Sequence, residues 1–219
     1  GEGVLSASLI PVYAKLCAEN KTNEADEVVR VVGTLLAIST SILCALGIIF
    51  AGPLTTMIAP GFSGEKAALT AKLVQIFFPG VGLLVMSAWC LGILNSHHKF
   101  FLSYSAPVLW NLAIIATTLY FGPRSSETEL AERVGWGLVA GCAAQLFVQV
   151  PSVMALLKSY RPSLNHHLKE VRVVFKNFLP VALSRGVVQV SAWVDSIIAS
   201  RLPEGAVANI SYAQTIYLL

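Results

Sequence analysis

Residues 184–200 read SRGVVQVSAWVDSIIAS and place two charged side chains inside an apolar run. Arg185 and Asp195 stand ten residues apart, with Gln189 between them. A charge at the centre of a bilayer costs roughly 2.5–3.5 kcal/mol on insertion scales, so such residues need a polar environment. A guanidinium can hold phosphate oxygens through paired hydrogen bonds, whereas a carboxylate offers hard oxygen ligands to a small cation. The stretch therefore predicts that both charged side chains face protein, a water-filled cavity or an interface rather than lipid.

Helical spacing at about 100° per residue gathers the polar residues of this stretch on one half of a helix. That half carries Ser184, Arg185, Gln189, Ser191, Asp195, Ser196 and Ser200, and the opposite half carries Val187, Val190, Val194 and Ile198. One interpretation is that the polar half faces a water-filled cavity. The alternative is that Arg185 snorkels to the cytoplasmic interface while Asp195 reaches the outer one.

Composition indicates the setting of this helix. Of the 219 residues, 55% are hydrophobic and 12% are charged, whereas soluble domains average about 25% charged residues. The net charge of +3 comes without a basic run, which argues against a nucleic-acid partner. The chain has no initial methionine and ends inside an apolar run, so we expect an internal part of a longer membrane protein.

The apolar periodicity predicts seven helices, the last of them cut short. They cover residues 2–18, 28–58 with a break at Gly52-Pro53, 67–95, 100–121, 133–157, 171–202 and a segment from 204 onward. Most of these segments reach the roughly 20 residues that a spanning helix needs. The pattern is typical of a multi-pass membrane protein.

Cations are distributed unevenly over the predicted loops. The loops after the first, third and fifth helices, with their flanks, hold Lys15, Lys21, Arg30, Lys99, Lys158, Arg161, Lys169, Arg172 and Lys176. The other side holds Lys66, Lys72, Arg124, Arg133 and Arg201. Because cytoplasmic loops are enriched in Lys and Arg, the first group predicts the cytoplasmic side.

Other candidate groups give weaker signals. Glu2 lies at the start of the first helix, where spacing alone indicates an exposed carboxylate favoured by the helix dipole. The pairs His97-His98 and His166-His167 have no third ligand beside them and favour interfacial positions over a metal site. The sequence contains no phosphate loop, dinucleotide fingerprint or hydrolytic triad, so we do not expect an enzyme.

The stretch GEGVLSASLIPVYAKL resembles a known family, the MurJ/MviN lipid II flippases of the multidrug/oligosaccharidyl-lipid/polysaccharide exporter superfamily. Glu2-Gly3-Val4-Leu5-Ser6 and Ile10-Pro11-Val12 match the motif that opens that family's second helix. Residues 77–115 are similar to its fourth and fifth helices, and residues 185–219 are similar to its seventh and eighth.

The resemblance implies an all-α polytopic membrane protein with about seven of the roughly fourteen helices of a two-bundle flippase fold. Residues 1–203 would form the N-terminal bundle and its linker (family helices two to seven), and residues 204–219 would start helix eight. The family's first helix, whose arginines line its cavity, would lie outside this chain. The expected location is the bacterial cytoplasmic (inner) membrane, and the expected state is a monomer.

The implied activity is alternating-access flipping of lipid II, the undecaprenyl-pyrophosphate-linked peptidoglycan precursor, from the inner to the outer leaflet. Glu2, Arg185 and Gln189 would bind this substrate. Asp195 aligns with an acidic residue that resembles a sodium ligand in some members, so Na⁺ is a candidate coupling ion and no other cofactor is expected. Thr215 stands where the family's eighth helix usually has an arginine.

Two other hypotheses remain at this point. A related exporter of polysaccharide-lipids or, with cation coupling, of drugs would share the architecture, and the missing arginine at Thr215 favours it. A non-transporting scaffold for cell-wall enzymes would not need charges at the depth of Arg185 and Asp195. The blocks GILNSHHKFF and APVLWN favour the lipid II flippase.

Overall fold

Helices account for all the regular structure in the computed structural model, which describes residues 2–157, 161–165, 168–203 and 205–217. They are α1 (Glu2–Ala18), α2 (Thr22–Ile49), α3 (Ala51–Ile58), α4 (Gly64–Ser96), α5 (Phe100–Phe121), a 3₁₀ turn (Gly122–Arg124), α6 (Glu127–Leu156), α7 (Lys169–Ala199) and α8 (Ala206–Tyr217). The prediction of an all-α chain is confirmed. Five of them, α2, α4, α5, α6 and α7, are long and apolar enough to cross a membrane, and α1 and α8 are shorter.

Several helix boundaries differ from the prediction, and two of the differences have an identifiable local reason. The long second helix breaks at Phe50, not at Gly52-Pro53, because Pro53 has no N–H to donate to the Ile49 carbonyl. The helix α6 begins six residues before the predicted residue 133, at Glu127. There Ser126 and Glu129 form a capping box, in which each side chain accepts from the other residue's backbone N–H.

The main core lies where the end of α1, the start of α2 and the end of α4 meet. Its fully buried members include Val28, Val29, Ile93 and Leu94. The end of α6 and the start of α7 join this cluster through Val153, Leu157, Val171 and Val174. Close packing here fixes the relative positions of five helix ends.

Polar contacts tie the loops at this end together. The Tyr13 hydroxyl and His97 Nε2 are 2.7 Å apart and join α1 to the α4–α5 turn. The segment between α6 and α7 docks on α2, since the Ser163 hydroxyl donates to Glu27 Oε1 at 2.7 Å. The loops after α1, α4 and α6 thus share one end of the molecule, which we call the cation-rich end.

The opposite, cation-poor end joins the starts of α4 and α6 through an ion pair. Lys72 Nζ lies 2.6 Å from Glu132 Oε1. The loop between α3 and α4 also reaches the end of α7 there. This arrangement agrees with the predicted alternation of loops, while the assignment of one end to the cytoplasm stays a prediction. The division of the chain at residue 203 likewise stays a prediction.

Candidate functional site

Helix α7 carries most of the charged stretch 184–200, including Arg185, Gln189 and Asp195. It packs mainly on α1 and also contacts α2, α3 and α8. Val171 and Val174 are buried at its start, and Ala199 and Ser200 are buried at its end. The described side chains from 175 to 198 are half-buried or exposed. The helix is therefore held at both ends and open along its middle.

A cavity of about 720 Å³ lies between α7 and the helices α1, α2, α4, α5 and α6. Phe178 and Ala182 line it from α7, and Leu5 lines it from α1. Most of the remaining lining is apolar, with Ser39, Thr40 and Gln145 among its polar residues. This volume and lining are typical of pockets that accept an apolar group with a few polar contacts.

Arg185 and Gln189 are exposed, and they continue the cavity-lining face of α7. At about 100° per residue, Phe178, Ala182, Arg185 and Gln189 fall within about 60° of one another around the helix axis. Because α7 runs from the cation-rich to the cation-poor end, Arg185 and Gln189 lie on the cation-poor side of the cavity. The helix thus places a cation and an amide next to an apolar cavity.

Glu2 is the first residue of α1, and its side chain lies outside the described residues. Its backbone position is three residues before Leu5, whereas Arg185 is three residues after Ala182 on a helix that runs the other way. At 1.5 Å per residue, each lies about 4.5 Å from its cavity-lining neighbour toward the cation-poor end. The backbones of Glu2 and Arg185 therefore both lie beyond these cavity-lining residues toward the cation-poor end, on two helices that touch.

Asp195 is also exposed, but it lies about 80° around α7 from Arg185 and about 120° from Gln189. Ser191, one turn before Asp195 on the same half of the helix, has a side chain outside the described residues. Among the described residues, no group of three or more His, Cys, Asp and Glu side chains could hold a metal ion. The sodium role of Asp195 stays a prediction.

The histidines that the structure describes have packing roles. The His97 ring contacts the Tyr13 ring edge-on at 5.6 Å, in addition to the hydrogen bond between them. Burial lowers the pKa of His97, an effect that the Asp26 carboxylate opposes. The His98 ring meets the Phe100 ring at 5.7 Å. His166 and His167 lie outside the described residues.

A buried polar cluster that was not predicted from the sequence lies between α4 and α6. Gln145 Nε2 donates to the Ser87 hydroxyl at 2.8 Å, and that hydroxyl donates to Gln149 Oε1 at 2.7 Å. All three residues are at most 1% exposed. Gln145 Oε1 and Gln149 Nε2 have no hydrogen-bond partner within the described part of the chain. Two glutamines four residues apart in an apolar helix were the available signal, since they fall on one helix face.

Thr215, which stands at the family's arginine position, is exposed on α8. Its hydroxyl donates to the Ser211 carbonyl at 2.9 Å, one turn earlier in the same helix. The side chain thus uses its one hydrogen-bond donor within its own helix and carries no charge.

Comparison with known proteins gives one consistent result. The family model described as lipid II flippase MurJ matches residues 1–219, which confirms the resemblance seen in the sequence. A lipid II flippase MurJ from Burkholderia cenocepacia is 28% identical over 218 residues. Probable lipid II flippases MurJ from Rickettsia prowazekii and Rhizobium tropici are 32% and 31% identical over 219 and 227 residues.

The matches cover nearly the whole chain but less than half of each relative. They include 97–100% of this chain and 42% of each of these three relatives. A solved structure of lipid II flippase MurJ in an inward closed conformation matches with a TM-score of 0.78 and 22% identity. That match covers 99% of this chain and 45% of the solved chain, and it shows a shared fold.

Proposed function

Because this chain belongs to the lipid II flippase MurJ family, we propose that it forms part of a transporter that flips lipid II across the bacterial cytoplasmic membrane. The observation that carries the proposal is the family match over residues 1–219. The direction is from the inner to the outer leaflet, by alternating access. Five helices suited to crossing a membrane support a multi-pass protein in which such a pathway could form.

Moving a polar lipid head group through a membrane requires polar side chains along the path, and the polar face of α7 would supply some of them. A pyrophosphate and its attached sugars cannot enter hydrocarbon without losing hydration that costs many kcal/mol. A protein pathway lowers this cost if polar side chains replace water around the head group while the lipid tail stays in the bilayer. This is transport, with no covalent step.

Arg185 is the residue to which we assign the pyrophosphate. Its guanidinium stays charged at every physiological pH and can donate paired hydrogen bonds to phosphate oxygens. The position beside an apolar cavity supports the assignment, because low dielectric surroundings strengthen such contacts. Gln189, one turn further on the same face, and Glu2, on the neighbouring helix α1, would contact the sugar or peptide of the head group.

Asp195 is proposed as a ligand for a coupling Na⁺ ion. Its place near the cation-poor end of α7 would expose it to ions entering from the outer side. The competing role is an ion pair that only holds the transporter together. Asp195→Asn separates these roles: coupling predicts normal thermal stability and loss of any sodium dependence of flipping. A marked fall in melting temperature with an unchanged sodium response would make the aspartate structural.

Complementation tests the proposed activity. The full-length gene containing this segment should restore growth to bacteria depleted of their own lipid II flippase, and lipid II should become accessible to a lipid II hydrolase added outside the cells. The empty vector is the control for growth, and immunoblotting of membranes checks expression. A well-expressed, membrane-inserted protein that rescues neither growth nor accessibility would contradict lipid II as the substrate and favour a related exporter.

A further inference from the structure

The loop between α3 and α4 meets the last turn of α7 at the cation-poor end. The Gly61 backbone N–H donates to the Ser200 hydroxyl at 3.2 Å, across 139 residues of sequence. Ser200 is 5% exposed, and its neighbour Ala199 is 2% exposed. The Ser200 hydroxyl also donates to the Ile197 carbonyl at 2.8 Å. These two bonds fix its orientation, so the hydroxyl is set to accept from Gly61.

The approach of the two backbones requires glycine at position 61. A Cβ atom built there would overlap the Ser200 carbonyl oxygen and would lie 2.5 Å from the Ser200 carbonyl carbon. Both are backbone atoms, so no rotation of a side chain could relieve the overlap. Alanine at this position must push the loop and α7 apart.

The contact is narrow. Beside it lies a cavity of about 320 Å³, lined by Phe62 and Lys66 on the loop side and by Leu202 and Pro203 on the side of α7 and α8. Incomplete packing around one hydrogen bond gives a contact that can separate at modest cost, unlike the close-packed core at the cation-rich end. It also lies at the junction of α7 and α8, where α7 ends.

We propose that Gly61 and Ser200 form a latch, which closes the cation-poor end of α7 against the α3–α4 loop and separates when the transporter opens to that side. The opening step rests on the proposed function, because alternating access requires each end to close in turn. The latch itself rests on the glycine contact and the hydrogen bond. Its role is to set the balance between the closed and open states of this end.

A distance measurement tests the latch in the full-length protein with its native cysteines replaced. Spin labels on cysteines at Glu65 and Arg201, which are exposed on either side of the contact, report the separation by pulsed electron resonance in lipid nanodiscs. Gly61→Ala should shift most molecules from the short to a longer distance. Gly52→Ala is the matched control, because nothing lies within 4 Å of a Cβ at Gly52, and it should keep the wild-type distribution.

A milder pair of variants keeps the test informative if Gly61→Ala does not fold. Ser200→Ala removes the acceptor and should raise the open-to-closed ratio about fivefold, the effect of losing roughly one hydrogen bond. Ser196→Ala is its control, since that hydroxyl donates to the Ala192 carbonyl within its own helix. Wild-type distances in both Gly61→Ala and Ser200→Ala, or in Ser200→Ala alone if the other variant cannot be purified, would overturn the latch.

The result is independent of lipid II. The labelled protein needs no substrate, so wild-type distances would remove the latch and leave the flipping proposal standing. Failed complementation together with the predicted distance shift would contradict the flipping proposal and leave the latch standing.

Discussion

The cation-rich end and the middle of α7 contain similar apolar residues in opposite environments. At the cation-rich end Val28, Ile93 and Leu94 are completely buried among α1, α2 and α4. In α7, Val187 is 72% exposed. Apolar side chains at the first site are covered by this chain itself, whereas many of those in the middle of α7 are left exposed by the described part of the chain. The difference separates a region that stabilises the fold from the region to which we assign the proposed transport.

Leu94→Ala should have the largest effect on stability and would sharpen this contrast. Removing a fully buried leucine side chain costs about 2–5 kcal/mol, because the cavity loses dispersion contacts that the surroundings cannot recover. The melting temperature of the purified full-length protein should fall by several degrees. Val187→Ala is the control, and its melting temperature should stay close to wild type. Equal losses in the two variants would remove the distinction between the regions.

Arg185→Ala should have the opposite pattern, with lost transport and retained stability. Hydrogen bonds to a charged partner are worth roughly 1.5–3 kcal/mol, so we expect at least about a tenfold fall in flipping rate. Arg185→Lys should retain part of the activity, because it keeps the charge but loses the paired geometry. Flipping is measured by the appearance of labelled lipid II in the outer leaflet, and melting temperature is the control. Full activity in Arg185→Ala would exclude the proposed contact.

The pH dependence of stability at the cation-rich end should be a smaller effect than those of the Leu94→Ala and Arg185→Ala variants. Burial holds the pKa of His97 below its ordinary value near 6.5, so the unfolded chain binds more protons than the native one just below that pH. Stability should therefore fall as the pH drops below about 6.5. Above that value, titration of His97 should not make stability depend on pH. The fall in melting temperature between pH 7.5 and pH 5.5 should shrink in His97→Asn and persist in His98→Asn. The same fall in all three proteins would contradict this role.

The long apolar runs predicted the all-α membrane fold well, since hydropathy and length suffice to identify spanning helices. The start of α6 was missed because the capping residues Ser126 and Glu129 are polar and precede the apolar run. The break after Ile49 required attention to the carbonyl that Pro53 leaves unpaired, four residues earlier. These features are local, and a closer inspection of the sequence could find them.

Tertiary contacts could not be predicted from the sequence. Periodicity places Ser200 on the polar stripe of α7 but does not pair it with Gly61. Likewise, it cannot bring Ser87 to Gln145 across two helices. For the site, spacing and resemblance selected Arg185 and Gln189, and the structure adds their register with Phe178 and Ala182 of the cavity lining. Their contact with substrate stays a prediction, because it depends on a bound head group.

Thiol accessibility tests most directly whether the polar face of α7 lines the transport pathway. Single cysteines at Arg185, Gln189, Val190 and Val194 would be introduced one at a time into the cysteine-free full-length protein and exposed to a membrane-impermeant maleimide in intact cells. We expect labelling at 185 and 189 and protection at 190 and 194, because only the first pair continues the face that lines the cavity. Equal labelling of both pairs would contradict this expectation.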